Sequence, residues 1–149
     1  MKIEGEYTFD GPRETLWALV RDPDALAACV PGMQKVEKVS ATEFTGEIVV
    51  RIGPLGGSFS GRVLISDEVP PVSCALTVEG LGKIGFAKGV GRIEMQEAPE
   101  GKTLMKYSGE AQIGGKMASV GQRLFDTVSK SMVKQGLDKL NDILKARAA

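Results

Sequence analysis

Gly114-Gly115-Lys116 is the segment of this 149-residue chain whose residue types come closest to a phosphate grip. A glycine turn before a helix offers backbone N–H groups to an anion, and a lysine adds charge. The spacing fails. The phosphate loop G-x-x-x-x-G-K-[ST] needs a glycine where Glu110 stands and a hydroxyl where Met117 stands. Other chemistry is equally sparse. The chain has no histidine, which excludes His-based triads, dyads and metal ligands. Cys29 and Cys74 lack metal-type spacing and supply at most two thiolates, too few for the common zinc sites. They are expected to be buried free thiols. Glu47, Glu79, Glu94 and Glu110 are the candidates for an acid/base pair, with Arg62 and Lys106 as nearby cations. Alternation puts all six on the polar faces of their strands, where charges are solvated and poorly placed for catalysis. No Ser, Cys or Lys sits in a recognisable nucleophile motif.

The elements that would position these groups follow from periodicity. Residues 2–10 alternate, with Ile3, Gly5, Tyr7 and Phe9 on one face, as in a half-buried strand. Gly11-Pro12 breaks it. Two short helices follow, "RETLWALVRD" and "DPDALAACVPG"; the second has Asp22 as N-cap, Pro23 in its first turn and Pro31-Gly32 as its stop. Strands are predicted over 33–39, 43–52, 58–66, 72–81, 84–95 and 103–113, separated by Gly/Pro-rich turns such as "GPLGG" and "EAPEGK". A helix from Lys116 to about Arg147, roughly 45 Å long, ends the chain. This order predicts an α+β fold. A seven-stranded curved antiparallel sheet wraps around the long C-terminal helix, with two short helices after the first strand. Residues 1–149 form one domain without repeats or linkers.

The inner face of that sheet is the candidate site. Phe9, Phe44, Ile48, Phe59, Val63, Leu76, Met105 and Tyr107 fall on it, and Trp17 is added from the first short helix. The long helix contributes Met117, Gly121, Leu124 and Val128. Gly46, Gly61, Gly89, Gly109 and Ala111 share the inner face, and Gly85, Ala87, Gly89 and Gly91 form a row of small residues. A concave sheet spanned by one helix but lined by small side chains leaves space, and unfilled apolar space is costly. The expectation is an apolar pocket for a lipid- or quinone-like molecule. Phe86 and Val90 fall on the opposite face, where they would suit a partner.

The helix carries two stripes. Met117, Gly121, Leu124, Phe125, Val128 and Met132 form one; Val133, Leu137, Leu140 and Leu144 form another, rotated by roughly 100°. The switch falls near Gly136. Either the helix bends there and lifts to admit ligand, or its second half packs on another surface. Ala118 and Gly121 are expected to keep the helix slim over the mouth of the sheet. Arg123 is expected to anchor it to a neighbouring loop.

"WALVRDPDALAACVPG", "IGPLGGSFSG", "TLMKYSGEAQIGG" and "GGKMASVGQRL" together resemble the CoxG-like family, named for the CoxG subunit of carbon monoxide dehydrogenase, within the START-like helix-grip superfamily. The likeness runs over essentially the whole chain. Pro31-Gly32 and the Gly115, Ala118, Gly121, Arg123 pattern are its most specific parts. It implies a non-catalytic accessory domain with no obligate cofactor, holding a quinone or lipid. It also implies service to a molybdenum-containing carbon monoxide dehydrogenase-type system and peripheral contact with the membrane. A homodimer is compatible with it.

Zero net charge argues against a nucleic-acid partner. The chain has no 18-residue apolar run and no signal-like N-terminus, so a cytoplasmic location is expected, at the inner face of the membrane if the resemblance holds. Three functions remain in order: a hydrophobic-ligand binder, an interaction subunit with a vestigial cavity, and a polyketide cyclase-type enzyme.

Overall fold

The computed structural model describes residues 1–148. Strand β1 (Lys2–Phe9) is followed by helices α1 (Arg13–Leu19) and α2 (Pro23–Cys29). Six strands come next: β2 (Met33–Ser40), β3 (Glu43–Ile52), β4 (Leu55–Val69), β5 (Ser73–Gly82), β6 (Gly85–Ala98) and β7 (Lys102–Gly114). A 3-10 segment (Gly115–Val120) leads into α3 (Gln122–Ala148). The strands form one antiparallel sheet in the order β1-β7-β6-β5-β4-β3-β2. This is the predicted architecture: a meander whose last strand closes against the first, with a long helix across one face.

Local chemistry accounts for the joints. Asp22 caps α2, its carboxylate accepting from the Asp24 N–H at 3.0 Å, and Pro23 occupies the first turn. Gly32 has φ +84°, and its carbonyl accepts from the Val49 N–H at 2.9 Å. A Cβ there would strike the Val49 carbonyl, so this turn requires glycine. The β3–β4 connection is tighter than predicted. Pairing continues to Ile52↔Leu55, so most of "GPLGG" belongs to β4 rather than to a loop.

The start of the long helix differs from expectation. It begins at Gln122, not at Lys116. Gly115 at φ +76° and Gly121 at φ +93° bracket a separate 3-10 turn between β7 and α3. Apolar periodicity runs through both pieces, because Met117 and Phe125 reach the same cluster, and so the pattern hides the break. Gly121 therefore lies outside α3. It is exposed, with open space where a side chain would go, and it turns the chain instead of slimming a helix.

Candidate functional site

Strand register confirms which side chains share the inner face. Phe44, Val63, Val78, Gly89 and Ala111 stand side by side across β3 to β7 through direct pairs. The neighbouring rows run Gly46, Gly61, Gly80, Ala87, Ile113 and Ile65, Leu76, Gly91, Gly109, Ile3. The predicted inner and outer assignments thus hold strand by strand. Glu47, Glu79, Glu94, Glu110, Arg62 and Lys106 all point outward. There Arg62 pairs with Glu79 at 3.4 Å.

The proposed lining residues divide among three packed clusters. Phe59 and Met117 are buried with Phe125 under the N-terminal half of α3, with Ile48, Leu124 and Val128 packed against them. Phe9 and Met105 are buried with Leu16, Leu19, Leu140 and Leu144 under the C-terminal half; Trp17 and Tyr107 lean on this cluster. Phe44 is buried with Ile65 and Cys74, with Val63 and Leu76 alongside. Phe9 is fully buried and Met105 is 2% exposed, so these two support the site from within the core and do not line it. The two stripes of α3 are explained by this division. The first covers the sheet, and the second packs on α1 and α2. Gly136 sits where α3 passes α2: a Cβ there would lie 3.2 Å from the Cys29 carbonyl. The stripe switch marks a change of packing partner.

A hollow separates the clusters. Its floor is the small-residue region Gly61, Gly80, Ala87, Gly89, Gly91 and Gly109, with Val78 at its centre. Val78 is 44% exposed although it faces inward from a central strand. Solvent therefore reaches the middle of the inner face, and α3 does not fill it. Three hydroxyls lie on the inner face of the described strands. Tyr7 donates to Asp138 Oδ1 at 2.6 Å, and Thr103 donates to the Gly11 carbonyl at 2.7 Å. Tyr107 has no hydrogen-bond partner among the described residues. Its hydroxyl lies over Gly5, where a Cβ would come within 2.6 Å. The hollow is thus apolar with one free phenol at its wall.

A side opening lies at the exposed edge of β7, beyond the end of β1. It measures about 460 Å³ and is lined by Met1, Ala111, Ile113, Ala118, Gln122 and Phe125. A larger groove of about 700 Å³ lies on the outer face between Lys35, Thr45, Ser60, Leu81 and Phe86. Its charges satisfy one another, since Lys35 holds Glu37 at 2.8 Å and lowers its carboxyl pKa while its own is raised. Such a wall does not suit an apolar guest.

Other chemistry is muted. Cys29 and Cys74 are buried free thiols, and burial pushes both pKa values up, away from a reactive thiolate. Among the described residues no cluster of His, Cys, Asp or Glu could hold a metal. Gly80, Gly82 and Gly85 match the dinucleotide spacing G-x-G-x-x-G, but they form the β5–β6 hairpin with no helix after it, so the motif's structural context is missing. Arg123 is exposed, and its guanidinium makes no hydrogen bond or ion pair among the described residues; the expected anchor is not made.

Residues 5–145 match the family model for CoxG, the G-type subunit of carbon monoxide dehydrogenase. The chain belongs to the CoxG family. Solved structures share its fold. A conserved protein from Geobacillus kaustophilus superposes with a TM-score of 0.93 at 24% identity, covering 100% of this chain and 98% of that one. A START superfamily protein from Mycobacterium smegmatis gives 0.72 at 10% identity, covering 97% of each chain. The Zhui aromatase/cyclase from Streptomyces sp. R1128 gives 0.71 at 13% identity, covering 100% and 96%. At these identities the likeness shows the fold, which is START-like. No curated protein matches the chain. No helix of this CoxG-family domain is long and apolar enough to cross a membrane.

Proposed function

We propose that this CoxG-family domain binds a small, largely apolar molecule of the quinone or lipid class in the inner hollow, and presents it without transforming it. The observation that carries the reading is Val78, solvent-exposed at the centre of an otherwise apolar inner face. Apolar surface left open inside a fold favours an apolar guest, because filling it removes that surface from water. The free Tyr107 hydroxyl favours a guest with one acceptor oxygen, as a quinone carbonyl has. The absence of an inward carboxylate supports binding over acid/base chemistry. Family membership supports an accessory role in a carbon monoxide dehydrogenase-type molybdenum hydroxylase system and its coupling to the membrane.

Solvent extraction of the purified protein, with native mass spectrometry before and after, tests the proposal. A stoichiometric apolar compound is expected, lost in a Val78→Trp variant that keeps its fold. A ligand-free protein that binds no quinone or lipid offered to it would reject the reading.

A second reading rests on the outer face. Leu81 is 69% exposed, Val90 60% and Phe86 37%, all on β5 and β6. An interaction subunit would use them. Co-purification with a molybdenum hydroxylase that survives Val78→Trp but is lost with Phe86→Glu would favour it. A third reading, a cyclase-type enzyme, draws on the Zhui likeness alone; turnover abolished by Tyr107→Phe would support it.

A further inference from the structure

The chain is neutral overall, but its charge is divided between the two ends of the sheet. One end is built from the β3–β4 turn, the β5–β6 turn and the passage from β7 into α3. These three segments meet: the Met117 N–H donates to the Ile84 carbonyl at 2.8 Å, and Leu124 packs against Gly53. Residues 48–57, 80–87 and 111–125 contain Arg51, Lys83, Lys116 and Arg123 and not one Asp or Glu. All four cations are exposed. Every ion pair among the described residues lies elsewhere, so none of the four is neutralised. The N-terminus of α3 points to the same end and adds the positive pole of a 27-residue helix. At the opposite end, residues 10–30, 66–72 and 96–102 carry eight carboxylates against three cations.

Apolar groups accompany the basic end. Leu81 and Phe86 flank the turn that carries Lys83, and Val49, 49% exposed, stands on the adjacent β3. The opening between Met1, Ala111, Ala118 and Phe125 emerges on this side too. Four unpaired cations, exposed apolar side chains and an apolar opening at one tip match the chemistry of an anionic bilayer surface. Headgroup phosphates and carboxylates would meet the cations, and acyl chains the apolar collar. An acidic protein surface would match the cations but would leave the collar and the opening unexplained. We infer that the tip formed by the β3–β4 turn, the β5–β6 turn and the β7–α3 passage docks reversibly on anionic lipid membranes. With about fivefold gained per cation, the four together support weak, salt-sensitive association and not permanent anchoring.

The test is flotation of the purified protein with phosphatidylcholine vesicles prepared with and without phosphatidylserine, at low and high salt. Association is expected only with phosphatidylserine and only at low salt. A Lys83→Glu/Lys116→Glu variant should lose at least about 25-fold in partitioning. A Lys106→Glu/Lys139→Glu variant changes net charge equally on exposed positions away from the tip and should bind as the parent does. Unfolding midpoints of both variants report that the fold is intact. Equal binding to both vesicle types, equal loss in the two variants, or no vesicle binding would overturn the assignment. Tip-dependent capture of an acidic protein with no vesicle association would do the same. The assay reads vesicle association alone, so its failure would leave the ligand proposal standing.

Discussion

The phenol of Tyr107 lies across Gly5 of the neighbouring strand, so close that a Cβ at Gly5 would come within 2.6 Å of the hydroxyl. Bare backbone at Gly5 is what lets the ring settle there. The atom in the way is the far end of a side chain, so Gly5→Ala is expected to move Tyr107 without breaking the sheet. The cost is about 0.5–1.5 kcal/mol of rotamer strain. Tyr107→Phe should leave stability unchanged, because the hydroxyl has no protein partner to lose. It should weaken an oxygen-bearing ligand about tenfold, the worth of one hydrogen bond. Thermal unfolding alongside ligand titration separates the two effects; a large stability loss in Tyr107→Phe would contradict the free-hydroxyl assignment.

Val78→Trp fills the hollow from its floor. Val78 is half in solvent already, so the larger side chain has room, and the stability change should stay within about 1 kcal/mol. Ligand occupancy measured by native mass spectrometry should fall to background. Undiminished occupancy would move the site elsewhere.

Tyr7 and Asp138 tie β1 to α3 through a 2.6 Å hydrogen bond, and their titration gives a pH signature. Burial first, and the Asp138 bond second, push the Tyr7 pKa up to about 12 from 10.0. A raised folded pKa means stability fully present below pH 10 and lost as pH climbs toward about 12. Lys134 first, and Tyr7 second, hold Asp138 below its ordinary 3.8. A lowered pKa means stability present above that value and lost as pH falls through the folded one. Urea unfolding across this range should show both limbs. Tyr7→Phe should flatten the alkaline limb and cost about 1 kcal/mol at neutral pH, while Asp138→Asn should flatten part of the acid limb.

Leu144 is fully buried where the end of α3 meets Gly11, and a Cβ at Gly11 would fall 2.8 Å from its Cγ. Leu144→Ala is expected to cost about 2–5 kcal/mol through cavity formation, and Gly11→Ala about 1–3 kcal/mol through overpacking. Chemical denaturation should rank them in that order. A near-neutral Leu144→Ala would mean that α3 is not held by its C-terminal half.

The two faces of every strand could be read from alternation, because the pleat has a strict period of two and each side chain's direction is set by its own backbone. The outward position of Glu47, Glu79, Glu94 and Glu110 and the inward position of Val63, Gly89 and Tyr107 needed nothing more. The Asp22 cap and the Pro31-Gly32 stop were legible for a related reason: capping and turn chemistry act within a few residues. The division of the lining residues was not legible. Whether Phe9 lines a cavity or is sealed beneath it depends on where α1 and α2 fold back, which no local pattern encodes.

α3 shows the same boundary. Its two stripes are written in the chain, but the meaning of the switch near Gly136 is not; only the approach of α2, with the Cys29 carbonyl 3.2 Å from a would-be Cβ, identifies a change of packing partner. Arg123 and Gly121 carry a family pattern in the sequence, yet their exposure depends on the 3-10 turn that precedes the helix. The neutral composition likewise conceals a polar molecule, because summing charges discards position. Arg51, Lys83, Lys116 and Arg123 are far apart in sequence and become one surface only where three turns converge. Residue order alone determined the strands, their faces and the family. Tertiary contacts decided which apolar residues are sealed, which are open and where the charge gathers, because each of those is a property of distance between segments.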